Sequence, residues 1–154
     1  MKRHPALVFL SKDHHHGLIM AQMIKKDAPN YKGLPHDTSG KINYVTQFYR
    51  DELKHHFDEE ENILFSYLAK LNNQFETSIN NLKLEHQEIE DTINSLENSD
   101  QKEIVLNDLG VMLEQHIRFE ERILFEKIQN TLSEEELDKL TNLLNRSEQT
   151  KKCN

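Results

Sequence analysis

Apolar residues recur along this chain at helical spacing. They fall at Gly17, Leu18, Ala21 and Ile24, at Tyr49, Leu53, Ile63 and Leu64, at Leu82, Ile89 and Ile93, and at Leu109, Met112, Leu113 and Ile123. Steps of three and four put each set on one face of an α-helix, and no stretch alternates with the period of two that a half-buried strand requires. Local signals set the predicted boundaries. Met1 to Leu10, which contains Pro5, reads as an N-terminal arm, and Ser11 can cap a first helix that runs to about Ala28 and stops at Pro29. Asn30 to Gly40 is a Pro, Gly, Asp, Thr and Ser loop, read as a plain connector, and Thr38 or Ser39 can cap a second helix over about Lys41 to Leu71. Asn72-Asn73 breaks the pattern before a third helix that reaches about Leu96, and Asn98-Ser99-Asp100 turns into a fourth that reaches about Asn130. Ser133-Glu-Glu-Glu136 is a capping box, so a short fifth helix is expected from Glu134 to about Asn145. The prediction is an all-α fold: an up-and-down four-helix bundle with a short additional C-terminal helix packed outside it. One domain should span 1–147, the arm being 1–10, with 148–154 a flexible polar tail.

The apolar faces are interrupted by ionisable residues. His56-Phe-Asp-Glu-Glu60-Glu-Asn-Ile-Leu-Phe65 recurs as His116-Ile-Arg-Phe-Glu120-Glu-Arg-Ile-Leu-Phe125, so His-x-x-x-Glu-Glu-x-Ile-Leu-Phe occurs twice. A spacing of four stacks His56 on Glu60 and His116 on Glu120, about 6 Å apart along the axis. The face of His56 holds Tyr49, Leu53, Ile63 and Leu64, which aims Glu60 inward and leaves Glu59 and Glu61 outside. The face of His116 does the same for Glu120 and sends Glu121 to solvent. His55 shares its face with Asp51, Glu52, Asp58, Glu59 and Asn62 and is a surface residue. Among His14, His15 and His16, His14 has small and apolar helical neighbours, with His15 as the fallback, and on the third helix the same test selects His86.

One inward His is ordinarily a hydrogen-bonded core residue. Four of them, two in matched registers with Glu, have no apolar explanation, because buried charge without a partner is costly. The candidate metal ligands are His14, His56, Glu60, His86, His116 and Glu120. If each carboxylate bridges, they fill eight of the twelve positions of two octahedral ions, leaving places for a bridging oxygen atom and for open sites. Imidazole and carboxylate donors with open positions suit iron, and a small diatomic is a natural ligand. Glu90, four residues after His86, is a possible additional donor, and Tyr49 and Tyr67 flank the His56 face. Asp13 and Glu85 precede His14 and His86 and can serve either as supporting partners or as surface groups.

Composition narrows the partners. The net charge of −8 disfavours nucleic acid and anionic membranes. The only cysteine is Cys153, so neither disulfides nor thiolate metal sites organise the fold, and a reducing, cytoplasmic setting is expected. Ala6 to Leu10 is the longest apolar run near the start and is too short for a signal peptide or a membrane span.

Through Leu10-Ser-Lys-Asp-His14, His56-Phe-Asp-Glu-Glu60, Leu84-Glu-His86 and His116-Ile-Arg-Phe-Glu120, the chain resembles the hemerythrin-like family of His-His-Glu cation-binding domains from Leu7 to about Ile128. The resemblance implies an up-and-down bundle around two iron ions joined by an oxygen atom. It implies reversible binding or sensing of dioxygen, with some relatives acting in iron handling or repair after nitrosative stress. The family's ligands carry over onto His14, His56, Glu60, His86, His116 and Glu120. Two positions depart from the oxygen carriers: Glu90 stands where they have a second His on the third helix, and Glu120 comes one residue earlier than their carboxylate. Fewer imidazoles favour an oxidised metal pair over a stable oxygen adduct. The expected function is non-enzymatic binding or sensing of dioxygen or nitric oxide, the alternative being a di-iron enzyme or iron donor in oxidative or nitrosative stress.

Overall fold

A computed structural model describes residues 2–153. Five helices account for the fold, and there is no strand among the described residues. A 3-10 turn at Pro5–Leu7 leads into α1, Val8–Met23. Helix α2 spans 38–71 as the α-helical segments Thr38–Phe48, Lys54–Glu59 and Ser66–Leu71, with the wider π-helical turns Tyr49–Leu53 and Glu60–Phe65 between them. Helix α3 is Glu76–Ser95, extended by the 3-10 turn Leu96–Asn98. Helix α4 spans 102–131 with a π turn at Glu120–Leu124, and α5 is Glu134–Cys153. The first four make the bundle and α5 lies against its outside. No helix among the described residues is long and apolar enough to cross a membrane.

Several ends differ from expectation, each for a local reason. The first helix begins before Ser11 because Pro5 sits in the first turn, where its fixed φ helps, and His4 Nδ1 accepts a hydrogen bond from the Ala6 N–H at 3.1 Å. Ala6, Leu7 and Leu10, assigned to an arm from sequence, are buried in the core. The second helix is capped by Asp37, whose Oδ2 accepts from the Gly40 N–H at 3.0 Å, rather than by Thr38 or Ser39. The capping box is present, with Ser133 Oγ accepting from the Glu136 N–H at 3.1 Å and Glu136 Oε1 from the Ser133 N–H at 2.9 Å. The fifth helix runs past Asn145 to Cys153, so the segment expected to be a tail from Glu148 continues the helix.

The core comes in two parts. At one end Leu7, Leu10, Phe65, Phe75, Leu82, Phe125 and Ile128 pack with Leu137, Leu140 and Leu144 of α5. At the other end Met20, Ile24, Val45, Phe48, Ile89, Leu109 and Leu113 pack together. Each buried Leu, Ile or Phe contributes about 1.5–3 kcal/mol, which makes both halves stable platforms. Between them lies a layer of buried polar side chains: His14, His56, Glu60, His86, His116 and Glu120.

Helices α1 and α4 meet at two glycines. A Cβ on Gly110 would lie 2.6 Å from the Ala21 backbone carbonyl, which cannot yield, whereas a Cβ on Gly17 would meet only the Ile117 Cδ1 tip, at 2.8 Å. Gly110→Ala is expected to destabilise by about 1–3 kcal/mol through overpacking. Gly17→Ala should cost less, because the Ile117 tip can turn away and alanine favours the helix by about 1 kcal/mol. Urea denaturation of the two variants, read as the order of their midpoints, checks this.

Candidate metal centre

Each bundle helix delivers one histidine to the mid-plane. His14, His56, His86 and His116 are all buried, and Glu60 and Glu120 are wholly inaccessible. The two His-x-x-x-Glu pairs meet across one helical turn, at 2.9 Å between His56 Nε2 and Glu60 Oε1 and 3.5 Å between His116 Nε2 and Glu120 Oε1. The carboxylates also reach other helices. Glu60 Oε1 lies 3.5 Å from His86 Nε2, and Glu120 Oε2 lies 2.9 Å from His14 Nε2. Two donor groups result, His14, His56, Glu60 and Glu120 in one and Glu60, His86, His116 and Glu120 in the other, with potential ligand atoms within 4.8 Å of each other in each. Both groups share both carboxylates. All six residues singled out from sequence thus come together, and the fallback His15 remains exposed.

The outer nitrogen of each of these four histidines donates to a carboxylate on a neighbouring helix. His56 Nδ1 donates to Asp13 at 3.1 Å, His86 Nδ1 to Glu61 at 3.0 Å, His116 Nδ1 to Glu85 at 3.2 Å and His14 Nδ1 to Glu121 at 2.7 Å. The partners run from α1 to α2, α2 to α3, α3 to α4 and α4 back to α1, a closed ring. A proton held on Nδ1 leaves the inward Nε2 with its lone pair available to a cation. Asp13 and Glu85 are therefore supporting partners. Glu61 and Glu121, placed in solvent by the helix-face reasoning, are partners as well, because their long side chains reach the neighbouring helix. The signal for them was in the repeat, which duplicates the second Glu as well as the first.

Glu121 is further fixed by the Ser11 hydroxyl at 2.7 Å and by Arg3 Nη2 at 2.7 Å. Its burial alone would raise its pKa, but the bonds from His14 and Ser11 and the charges of His14 and Arg3 bring it down to about 2. Glu121→Ala should weaken metal binding about 10–100-fold by releasing the His14 ring. Glu126→Ala removes another Arg3 partner, at 3.4 Å, without touching a ligand, and should leave affinity unchanged when both are compared by competition with a chelator.

Without a cation the centre is a lattice of buried ion pairs. Burial is the largest influence on His14 and opposes its protonation, yet the close Glu120 carboxylate and the hydrogen bond to Glu121 lift its pKa to about 9. His56 is likewise raised well above its ordinary value, with burial opposed by the charge of Glu60 and the bond to Asp13. Glu60 is held well below the carboxylate range, its burial outweighed by His56 and His86. Even so, His14, His86 and His116 Nε2 and all four oxygens of Glu60 and Glu120 are buried without a hydrogen-bond partner. Convergent, unsatisfied nitrogen and oxygen donors of this kind are what a transition-metal ion satisfies.

The remaining sequence candidates fall into place around this layer. Glu90 does not join the donors of His86; it pairs with the Tyr49 hydroxyl, and burial together with that partner raises the tyrosine pKa. The Tyr67 hydroxyl donates to the Glu136 carbonyl at 2.8 Å, so it fastens α5 to the bundle. Ile123, read as inward, is exposed because the π turn after Glu120 advances each residue by less than an α-helix does, while Leu124 and Phe125 face the core. Glu59, read as outward, is buried beneath α5. Its burial and the nearby charge of Glu148 push its pKa up to about 7, against a hydrogen bond from Ser147.

Aromatic rings wall the layer. Phe57 stacks on His86 with centroids 3.9 Å apart, and Phe125 on His14 at 5.4 Å. A crevice of about 10 Å³ reaches Asp13 and His56 between His16, Phe48, Glu52 and Leu53. That is about the space of one water molecule.

No curated protein and no solved structure matches the chain significantly. The family model for the hemerythrin HHE cation binding domain matches residues 6–128, which takes in the first three bundle helices, all but the last residues of the fourth, and the six His and Glu donors of the two central groups. The chain belongs to the hemerythrin HHE cation-binding domain family.

Proposed function

We propose that the two donor groups hold a pair of iron ions joined by an oxygen atom, and that the protein binds or senses dioxygen or nitric oxide. The sharing of Glu60 and Glu120 by both groups carries this reading, because two bridging carboxylates suit two adjacent ions. His14 and His56 would serve one ion, His86 and His116 the other. When bound, the pair supplies open coordination positions and electrons for a diatomic ligand.

The protein's own residues select the size of that ligand and hold its surroundings still. Asp13, Glu61, Glu85 and Glu121 fix the four imidazole rings in orientation and tautomer. Phe57, Phe65 and Phe125 keep the surroundings apolar and exclude bulk water. A crevice on the scale of one water molecule suits a diatomic gas and not an organic substrate.

The test is optical. Protein loaded with iron and reduced should change its visible spectrum on exposure to oxygen, and recover it when oxygen is withdrawn. A fully loaded, reduced sample whose spectrum does not respond to oxygen or nitric oxide would overturn the reading. Consumption of peroxide or nitric oxide beyond one equivalent per metal pair would shift it to the alternative, a di-iron enzyme of the stress response.

A further inference from the structure

Outside the central layer, a second group of nitrogen and oxygen donors forms where α5 crosses α2. His55 and Glu59 lie one turn apart on α2, with His55 Nε2 2.9 Å from Glu59 Oε1, and Glu148 comes from α5. Their potential ligand atoms lie within 4.8 Å of one another. Glu59 is 3% exposed, and Glu148 Oε1 is buried with no hydrogen-bond donor among the described residues.

One imidazole and two carboxylates thus converge at a position where the Glu59 side chain is held out of water. Carboxylates held out of water are costly, and one divalent cation neutralises two of them. The donor set also has a preference. An imidazole with two carboxylates favours a first-row transition ion over magnesium or calcium, which take oxygen ligands.

We propose that His55, Glu59 and Glu148 form a separate site for a divalent first-row transition metal ion, which pins the C-terminal helix to α2. The site is one residue along α2 from Glu60, but its ligands belong to neither central group. It therefore binds its ion whatever the central layer holds.

Zinc is the probe. The full-length protein, equilibrated with excess zinc and dialysed, should retain one equivalent more than His55→Ala or Glu148→Gln treated in the same way. Zinc should also slow hydrogen exchange of the α5 amides in the wild type and not in either variant. Because only the difference between proteins is read, zinc held by the central donors cancels. Equal zinc content in the wild type and both variants would overturn the proposal. Unchanged α5 exchange on zinc addition would overturn the pinning.

Discussion

Glu60→Ala is expected to empty both halves of the centre and to destabilise the metal-free bundle as well. The carboxylate lies beside His56 at 2.9 Å and His86 at 3.5 Å, and it belongs to both donor groups. Removing it deprives each proposed ion of a shared ligand, so metal content should fall well below that of the wild type. In the metal-free protein the same substitution leaves His56, raised well above its ordinary pKa, charged or desolvated without its main partner. Breaking a buried pair in this way costs about 3–5 kcal/mol. For a domain of this length that corresponds to a loss of about 6–20 °C in melting temperature. Glu60→Gln separates the two effects, since it keeps the shape of the side chain and loses the charge. Calorimetry and metal analysis on the same preparations read both, and a Glu60→Ala protein with wild-type metal content would remove the shared-ligand reading.

The second large effect is that of the metal itself. Donors that converge only in the folded bundle bind an ion in the native state and not in the unfolded chain, so binding adds directly to stability. Free metal at a thousandfold excess over its dissociation constant contributes about 4 kcal/mol. For a domain of this size that raises the melting temperature by about 8–16 °C. Stripping the ions with a chelator should reverse the shift, and re-addition should restore it. If stripped and loaded samples melt together, the buried donors are satisfied by protons alone.

Much of the centre could be read from the sequence because a helix face is local arithmetic. Glu60 and Glu120 were separable from their neighbours by the spacing from His56 and His116, and His14 and His86 by their apolar company. What escaped was set elsewhere in the chain. Glu59 is buried because α5 continues past Asn145 and brings Ser147 and Glu148 over it, a packing that no pattern near Glu59 announces. Glu61 and Glu121 were sent to solvent by a rule that asks where a residue sits on its own helix and not how far its side chain reaches. The early start of α1 was legible in principle. Pro5 marks the first turn of a helix as readily as it marks an arm, and the apolar Ala6, Leu7 and Leu10 favoured the first.

The π turns at Glu60–Phe65 and Glu120–Leu124 each follow directly on a shared carboxylate. At the second, the Phe125 N–H bonds to the Glu120 carbonyl, five residues back instead of four. Such a turn stores one spare residue. Deleting the exposed Arg122, or the exposed Asn62 in the first copy, would let the turn relax to an α-helix with the chain on either side still in frame. Chain length is thus adjustable beside the metal centre, where an insertion or loss in an ordinary helix would rotate every later side chain by about 100°. Both helices that carry a shared carboxylate have this slack, which gives a lineage room to gain or lose a residue there without dismantling the core.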